Sequence, residues 1–268
     1  MKQSQIFLLA MVQQLCAQDL DQLYPDSDGK PMADNTEQYR WIVLIKENLE
    51  ILFAAIPDVF IAADLLWYPV QVQQPPAPSQ APDIMVIFGR PKGERRSYRQ
   101  WEEENIPPQV VFEILSESNK TAEGRREMER KLAFYQQYGV EEYYIYDPDE
   151  LVLEGRRRQG QQFVPIGQMS DWVSPRLQVR FAWQEGEELA LYHPDGQRFL
   201  SSVEREERLV RERQRAEQAQ QRAEQERQRA EQERQRAEQA EAALQEERRQ
   251  RQALLERLRE LGINPDEL

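Results

Sequence analysis

Ile42, Ile45, Leu49, Leu52 and Ile56 recur at three- and four-residue spacing, which predicts one apolar face of a helix ending before Pro57. Asp34-Asn35-Thr36-Glu37 supplies its start in the manner of a capping box, with Asn35 and Gln38 at the polar end of that face. The period then changes. Val59-Phe60-Ile61 and Leu65-Leu66-Trp67-Tyr68 read as strand material, and the Pro- and Gln-rich stretch 71–81 reads as a loop. Two short runs, 83–88 and 109–115, are apolar on both alternating faces, as strands buried on both sides are. Between them lies the long excursion 89–108. Met128, Leu132, Tyr135 and Tyr138 mark a second helix, closed by Gly139. Tyr143-Tyr144-Ile145-Tyr146 is a strand stopped by Asp147-Pro148. Leu151-Val152-Leu153 and Gln162-Phe163-Val164-Pro165 flank 155–160 as a hairpin, and strands near 177–183 and 189–192 follow. Helix, strands, helix, strand and hairpins together predict a mixed α/β domain.

From Ser202 onward the pattern becomes a heptad. Leu209, Ala216, Ala223, Ala230, Ala237 and Leu244 stand seven residues apart, and Arg-Ala-Glu-Gln-Glu-Arg-Gln occurs twice in succession at 222–228 and 229–235. Helix propensity is very high, with Arg222/Glu226 and Arg227/Glu231 at i,i+4. The seam is thin in the middle, where Glu226 and Glu233 fill the second apolar position, and recovers at Leu254, Leu258 and Leu261. Such a helix either self-associates as a coiled coil, chiefly at its C-terminal end, or stands alone as a charged helix.

The net charge of −13 lies mostly in the globular part: from Ser202 onward 15 Lys+Arg meet 17 Asp+Glu, which leaves −11 for the rest. Nucleic-acid affinity depends on phosphate contacts, so an acidic domain needs a local basic patch to bind DNA or RNA. Residues 89–99 supply one: Arg90, Lys92, Arg95, Arg96 and Arg99 against the single acid Glu94. The alternative is a solvated loop balanced by Glu102-Glu103-Glu104. Lys120, Arg125, Arg126 and Arg130 form a second basic cluster. Cys16 is the only cysteine, which excludes an intrachain disulfide and suits a reducing cytoplasm. His193, the only histidine, sits in a turn sequence and argues against a histidine zinc site or a Ser/His/Asp triad. The apolar stretch 6–12 favours an amphipathic N-terminal helix over a signal peptide, and no segment is long enough to span a membrane.

Candidate chemistry starts at Glu113, a carboxylate inside Val110-Val111-Phe112-Glu113-Ile114-Leu115. An unpaired charge there costs several kcal/mol, so it needs a partner. Asp83 stands just ahead of the other apolar strand. If the two strands are antiparallel neighbours, Asp83 and Glu113 converge at one end of the sheet. Two carboxylates so placed, with main-chain carbonyls, suit Mg²⁺ (or Mn²⁺) and a phosphodiester substrate. An acid-x-lysine motif would put its lysine at 115, where Leu stands; Lys131, the last of six lysines, is the best substitute, placed to orient or deprotonate a metal-bound water. Each residue also has a plain structural reading: Asp83 closing a turn, Glu113 salt-bridged to an arginine, Lys131 reaching along its helix to water.

Ala81-Pro82-Asp83-Ile84-Met85-Val86, then Val110-Val111-Phe112-Glu113-Ile114-Leu115-Ser116, then the run from Lys131 to Pro148 containing Phe134-Tyr135-Gln136-Gln137-Tyr138-Gly139, resemble the Uma-two-type putative restriction endonucleases. The resemblance spans most of 25–200. One departure is Glu117 after Ser116, where the family often has proline. The resemblance implies the PD-(D/E)xK, restriction-endonuclease-like fold: a mixed sheet flanked by helices. It implies Asp83 and Glu113 as metal ligands and Lys131 as a relocated catalytic lysine. The long helical tail also resembles tails appended to some members. The expected organisation is an N-terminal helical segment 1–24, a nuclease domain 25–201, a heptad helix 202–262 and a tail 263–268. The expected function is Mg²⁺-dependent endonucleolytic hydrolysis of DNA, with RNA not excluded and a homo-oligomer through 202–262. The competing reading is a catalytically silent nuclease fold that serves as a binding or assembly module; a glycosidase using the acid pair ranks last.

Overall fold

The computed structural model describes residues 22–260. The helix expected over 1–24 therefore lies outside the described residues except at its end, as do Cys16 and the tail 263–268. The chain divides after Ser202 into two compact units. No helix among the described residues is long and apolar enough to cross a membrane.

Helix α1 (Thr36–Leu52) begins where the capping signal predicts, shifted by one residue. Asn35 is its N-cap, its side chain accepting from the Gln38 amide at 2.8 Å, while Gln38 Oε1 accepts from the Asp34 amide at 2.8 Å. Trp41, Ile42, Ile45 and Leu49 form the buried face. The helix stops at Leu52, five residues before Pro57, so Ile56 leaves the expected face and is 47% exposed.

Strands β1 (Val59–Ala62), β2 (Trp67–Tyr68), β3 (Ile84–Phe88), β4 (Tyr98–Arg99) and β5 (Val110–Ile114) follow. Helix α2 (Ala122–Tyr138) leads into β6 (Glu142–Asp147), β7 (Val152–Gln159) and β8 (Gln162–Pro165). The main sheet has the order β1-β3-β5-β6-β7-β8. Its neighbours are antiparallel except β5 and β6, which are parallel and joined by the crossover helix α2. This is the mixed sheet that the sequence predicts. Short strands β9 (Trp172–Val173), β10 (Arg180–Ala182) and β11 (Ala190–Tyr192) make a second sheet, and β2 pairs with β4.

Alternate residues of the central strands face two different cores. Val86, Phe112, Ile114, Tyr144 and Tyr146 pack with α1 and Phe181 on one side. Met85, Ile87, Val111 and Tyr143 pack with Tyr135 of α2 on the other. Both faces being covered is why these strands read as continuous apolar runs. Each fully buried aliphatic chain among them contributes roughly 1.5–3 kcal/mol.

The expected hairpin loop at 155–160 is corrected. β7 runs through Gly155, and the turn is confined to Gly160-Gln161. Gly155 lets Met169 and Ile166 pack onto the strand, since a Cβ there would lie 2.5 Å from Met169 Sδ and displace both side chains. Gly139 ends α2 at φ +99, the left-handed cap the sequence predicts. Arg158 of β7 then caps the same helix end, donating to the carbonyls of Val140 at 2.8 Å and of Gln136 at 2.5 Å.

The second unit is helix α3 (Ser202–Glu260). Its surface is laced by i,i+4 bridges such as Arg208–Glu212 at 3.1 Å and Arg234–Glu238 at 2.9 Å. Leu209, Leu244 and Leu254 of the heptad seam are 42%, 48% and 63% exposed.

Candidate active site

The register of β3 on β5 decides the site. Ile84 faces Phe112 and Met85 faces Val111, so one step further Asp83 stands opposite Glu113. Side chains alternate along a strand, so Asp83 shares the α2 side with Met85, and Glu113 shares it with Val111. The Ile114 amide donates to Asp83 Oδ2 at 2.6 Å, which anchors one acid beside the other. Both expected acids thus meet at one sheet end, thirty residues apart in sequence.

Glu113 is 2% exposed and is held from two directions, both from α2. Lys131 Nζ donates to Oε2 at 2.6 Å, and the Tyr135 hydroxyl donates to Oε1 at 2.6 Å. Lys131 and Tyr135 are one helical turn apart, so a single helix face carries both contacts. Tyr135 is itself fixed by its ring lying parallel to Trp67, 6.4 Å between centroids. Burial raises the Tyr135 hydroxyl well above its ordinary value, so it remains a donor. For Lys131, burial works against the ammonium, but Glu113 and Asp83 outweigh it and hold the amine above its ordinary value. Lys131 is therefore a cation that orients its neighbours.

Asp83 behaves oppositely. Burial and the adjacent Glu113 push its carboxyl up to about 8, against the pull of Lys131 and the Ile114 amide. Its Oδ1 accepts no hydrogen bond among the described residues. A carboxylate in this state is stabilised by a nearby cation. Among the described residues no group of three or more His, Cys, Asp or Glu forms a ready cage for a metal. Asp83 lines the cleft and Glu113 lies buried behind it, and an acid pair of this kind fits Mg²⁺, which takes one or two carboxylates and retains several waters.

The site opens into a cleft of about 520 Å³ lined by Asp83 and Lys131 and by residues the sequence did not single out, including Asp28, Lys30, Asp64 and Glu127. Asp64 sits in the left-handed region at φ +48, its amide bonded to the Pro82 carbonyl at 3.1 Å. Burial and then the charge of Asp28 raise its carboxyl above the ordinary value. An acid directly after Ala62-Ala63 carries no sequence signal of this placement. Gln38 closes the floor by donating to the Ile114 carbonyl at 2.8 Å.

None of the five cations of 89–99 lines the cleft. Arg90 and Arg95 are each 12% exposed in their side chains and converge on Glu103 at 2.8 and 2.7 Å. Lys92 donates to the Phe53 carbonyl at 2.7 Å, Arg96 pairs with Asp26, and Arg99 meets Glu102 at 3.7 Å. The balancing acids expected at 102–104 do fold back onto the arginines. Lys120 is likewise surrounded by Glu117, Asp147, Asp149 and Glu150.

The family model Uma2, described as a putative restriction endonuclease, matches residues 31–192. No curated protein matches the chain. A crystal structure of a putative nuclease belonging to DUF820 from Anabaena variabilis is similar at 17% identity and TM-score 0.38, covering 55% of this chain and 74% of that one.

Proposed function

Since the chain belongs to the Uma2 family of putative restriction endonucleases, we propose that it hydrolyses phosphodiester bonds of DNA with Mg²⁺ held by Asp83 and Glu113. The observation that carries this reading is the meeting of Asp83 and Glu113 on one sheet face beside Lys131. Bound there, a divalent ion supplies Lewis-acid polarisation of the phosphate and a lowered pKa for its water. The chain's own residues do the rest. Tyr135 and Lys131 hold the Glu113 carboxylate from both oxygens, which would orient it as a ligand. The Lys131 ammonium then stays beside the reacting phosphate and stabilises the negative charge that develops on it. The two-sided covering of the sheet keeps water away from all but the cleft side.

The test is supercoiled plasmid incubated with Mg²⁺ or Mn²⁺, comparing the wild type with Glu113→Gln and Asp83→Asn. Cleavage by the wild type is expected to fall by about a hundredfold or more in each variant. Equal cleavage by all three removes these acids from the mechanism. RNA of the same sequence, run in parallel, separates the two substrate classes.

An assembly role for α3 rests on a different observation, the exposed seam Leu209, Leu244 and Leu254. It predicts sedimentation as an oligomer that becomes monomeric when 202–268 are deleted. A monomeric full-length chain at high concentration excludes it.

A further inference from the structure

The cleft holds more negative than positive charge. Asp28, Asp34, Asp64, Asp83 and Glu127 line it against Lys30 and Lys131. A nucleic-acid strand needs at least one cation there to receive a phosphate. Lys131, paired with Glu113 and with only 13% of its side chain exposed, is committed to the reacting phosphate. The arginines of 89–99 stand outside the cleft and are paired, as described above. Lys30 differs. Its side chain is 60% exposed, and its Nζ contacts a single described side chain, Glu127 Oε1 at 2.5 Å. Its backbone is fixed, since the Lys30 amide donates to Asp28 Oδ1 at 2.9 Å.

Glu127 is the telling partner. It lies on α2 four residues before Lys131, so the two share one helix face with Cβ atoms about 5–6 Å apart. The Lys30–Glu127 pair therefore joins the loop wall of the cleft to the helix that holds the catalytic lysine. A pair this exposed is weak, and a phosphate oxygen competes for the ammonium on better than equal terms.

Resting on the nuclease reading, we propose that Lys30 is the phosphate contact of the substrate strand, and that Glu127 holds it in place until a phosphate displaces it. The phosphate bound would be the one flanking the bond cut beside Lys131. Among the described residues that line the cleft, Lys30 is the one cation left to serve it, so strand binding depends weakly on salt.

The experiment is fluorescence anisotropy with a fluorescein-labelled single strand and its duplex in Ca²⁺, on the full chain over a salt series. Lys30→Met is expected to weaken binding by about five- to tenfold and to reduce the slope of log K against log salt by about one. Glu127→Gln is expected to tighten binding by about two- to fivefold, because it frees Lys30. Lys30→Arg should retain binding. A merely structural ion pair predicts the contrary: both variants lose the same contact and weaken together, with the salt slope unchanged. That outcome overturns the proposal while leaving the nuclease reading intact. If the wild type binds neither oligonucleotide, the nucleic-acid reading itself fails, and this inference with it. Should Lys30→Met unfold, the direction of the Glu127→Gln change still decides.

Discussion

Replacing Lys131 with Met isolates the energetics of the acid pair. The Lys131–Glu113 contact is 2.6 Å long, with the two side chains 13% and 3% exposed. Methionine keeps the length of the stem but strands a buried carboxylate with the Tyr135 hydroxyl as its remaining partner. Breaking one side of a buried pair costs about 3–5 kcal/mol. The variant is therefore expected to be less stable than the wild type by about 3 kcal/mol at pH 7, and by less in acid, where protonation relieves a stranded buried carboxylate. Urea unfolding in EDTA followed by tryptophan fluorescence measures this. All five tryptophans (41, 67, 101, 172 and 183) precede Ser202, so the signal reports the sheet domain and not α3. Adding Glu113→Gln to the variant should restore part of the stability, since no buried charge is then stranded. A loss under about 0.5 kcal/mol at pH 7, or one that does not shrink at pH 5, refutes the buried-pair argument.

Three further outcomes follow from the same geometry. Burial and Glu113 hold the Asp83 carboxyl above its ordinary value, and it must give up its proton to hold a metal, so Mg²⁺ affinity measured by calorimetry should rise with pH and be accompanied by proton release; a flat profile contradicts the assignment. Asp64→Asn removes a charge that faces Asp83 and Glu113 and places at φ +48 a residue that tolerates it, so the EDTA-treated protein should gain on the order of 0.5 kcal/mol in urea unfolding. For Glu103, burial pushes the carboxyl up but hydrogen bonds from Arg95 and Arg90 outweigh it, holding the group below its ordinary 4.5. A lowered folded value means a contribution fully present above pH 4.5 and lost as pH falls through the folded value; trypsin-like cleavage being excluded at low pH, pepsin digestion should open the 89–108 loop of Glu103→Gln at pH 5 and that of the wild type only in stronger acid.

Much of the sheet and part of the site were legible from sequence because they rest on local regularities. β3 and β5 are runs of branched apolar residues buried on both faces, and a charge within such a run marks itself. α1 and α2 show their apolar spacing, and Gly139 marks an end. Lys131 was found by elimination among six lysines. Other features were not legible. β4 and β9 are two residues each and depend on partners far along the chain. The basic run 89–99 looks like an outward patch, yet Arg90 and Arg95 turn inward because Glu103 follows within one loop. Asp64, Lys30 and Glu127 carry no mark in sequence; they become cleft residues only when three distant segments meet.

The sequence by itself determined the longer strands and helices, that Glu113 needs a partner, and that residues from 202 form a helix, since periodicity, propensity and the cost of a buried charge are properties of neighbours along the chain. Only the tertiary structure decided that Asp83 faces Glu113, that Lys131 and Tyr135 divide its two oxygens, and which cations remain within reach of a substrate. Strand register and helix packing join residues through space, and a shift of one residue in the β3–β5 pairing would turn Asp83 away from Glu113 with no change in either local pattern.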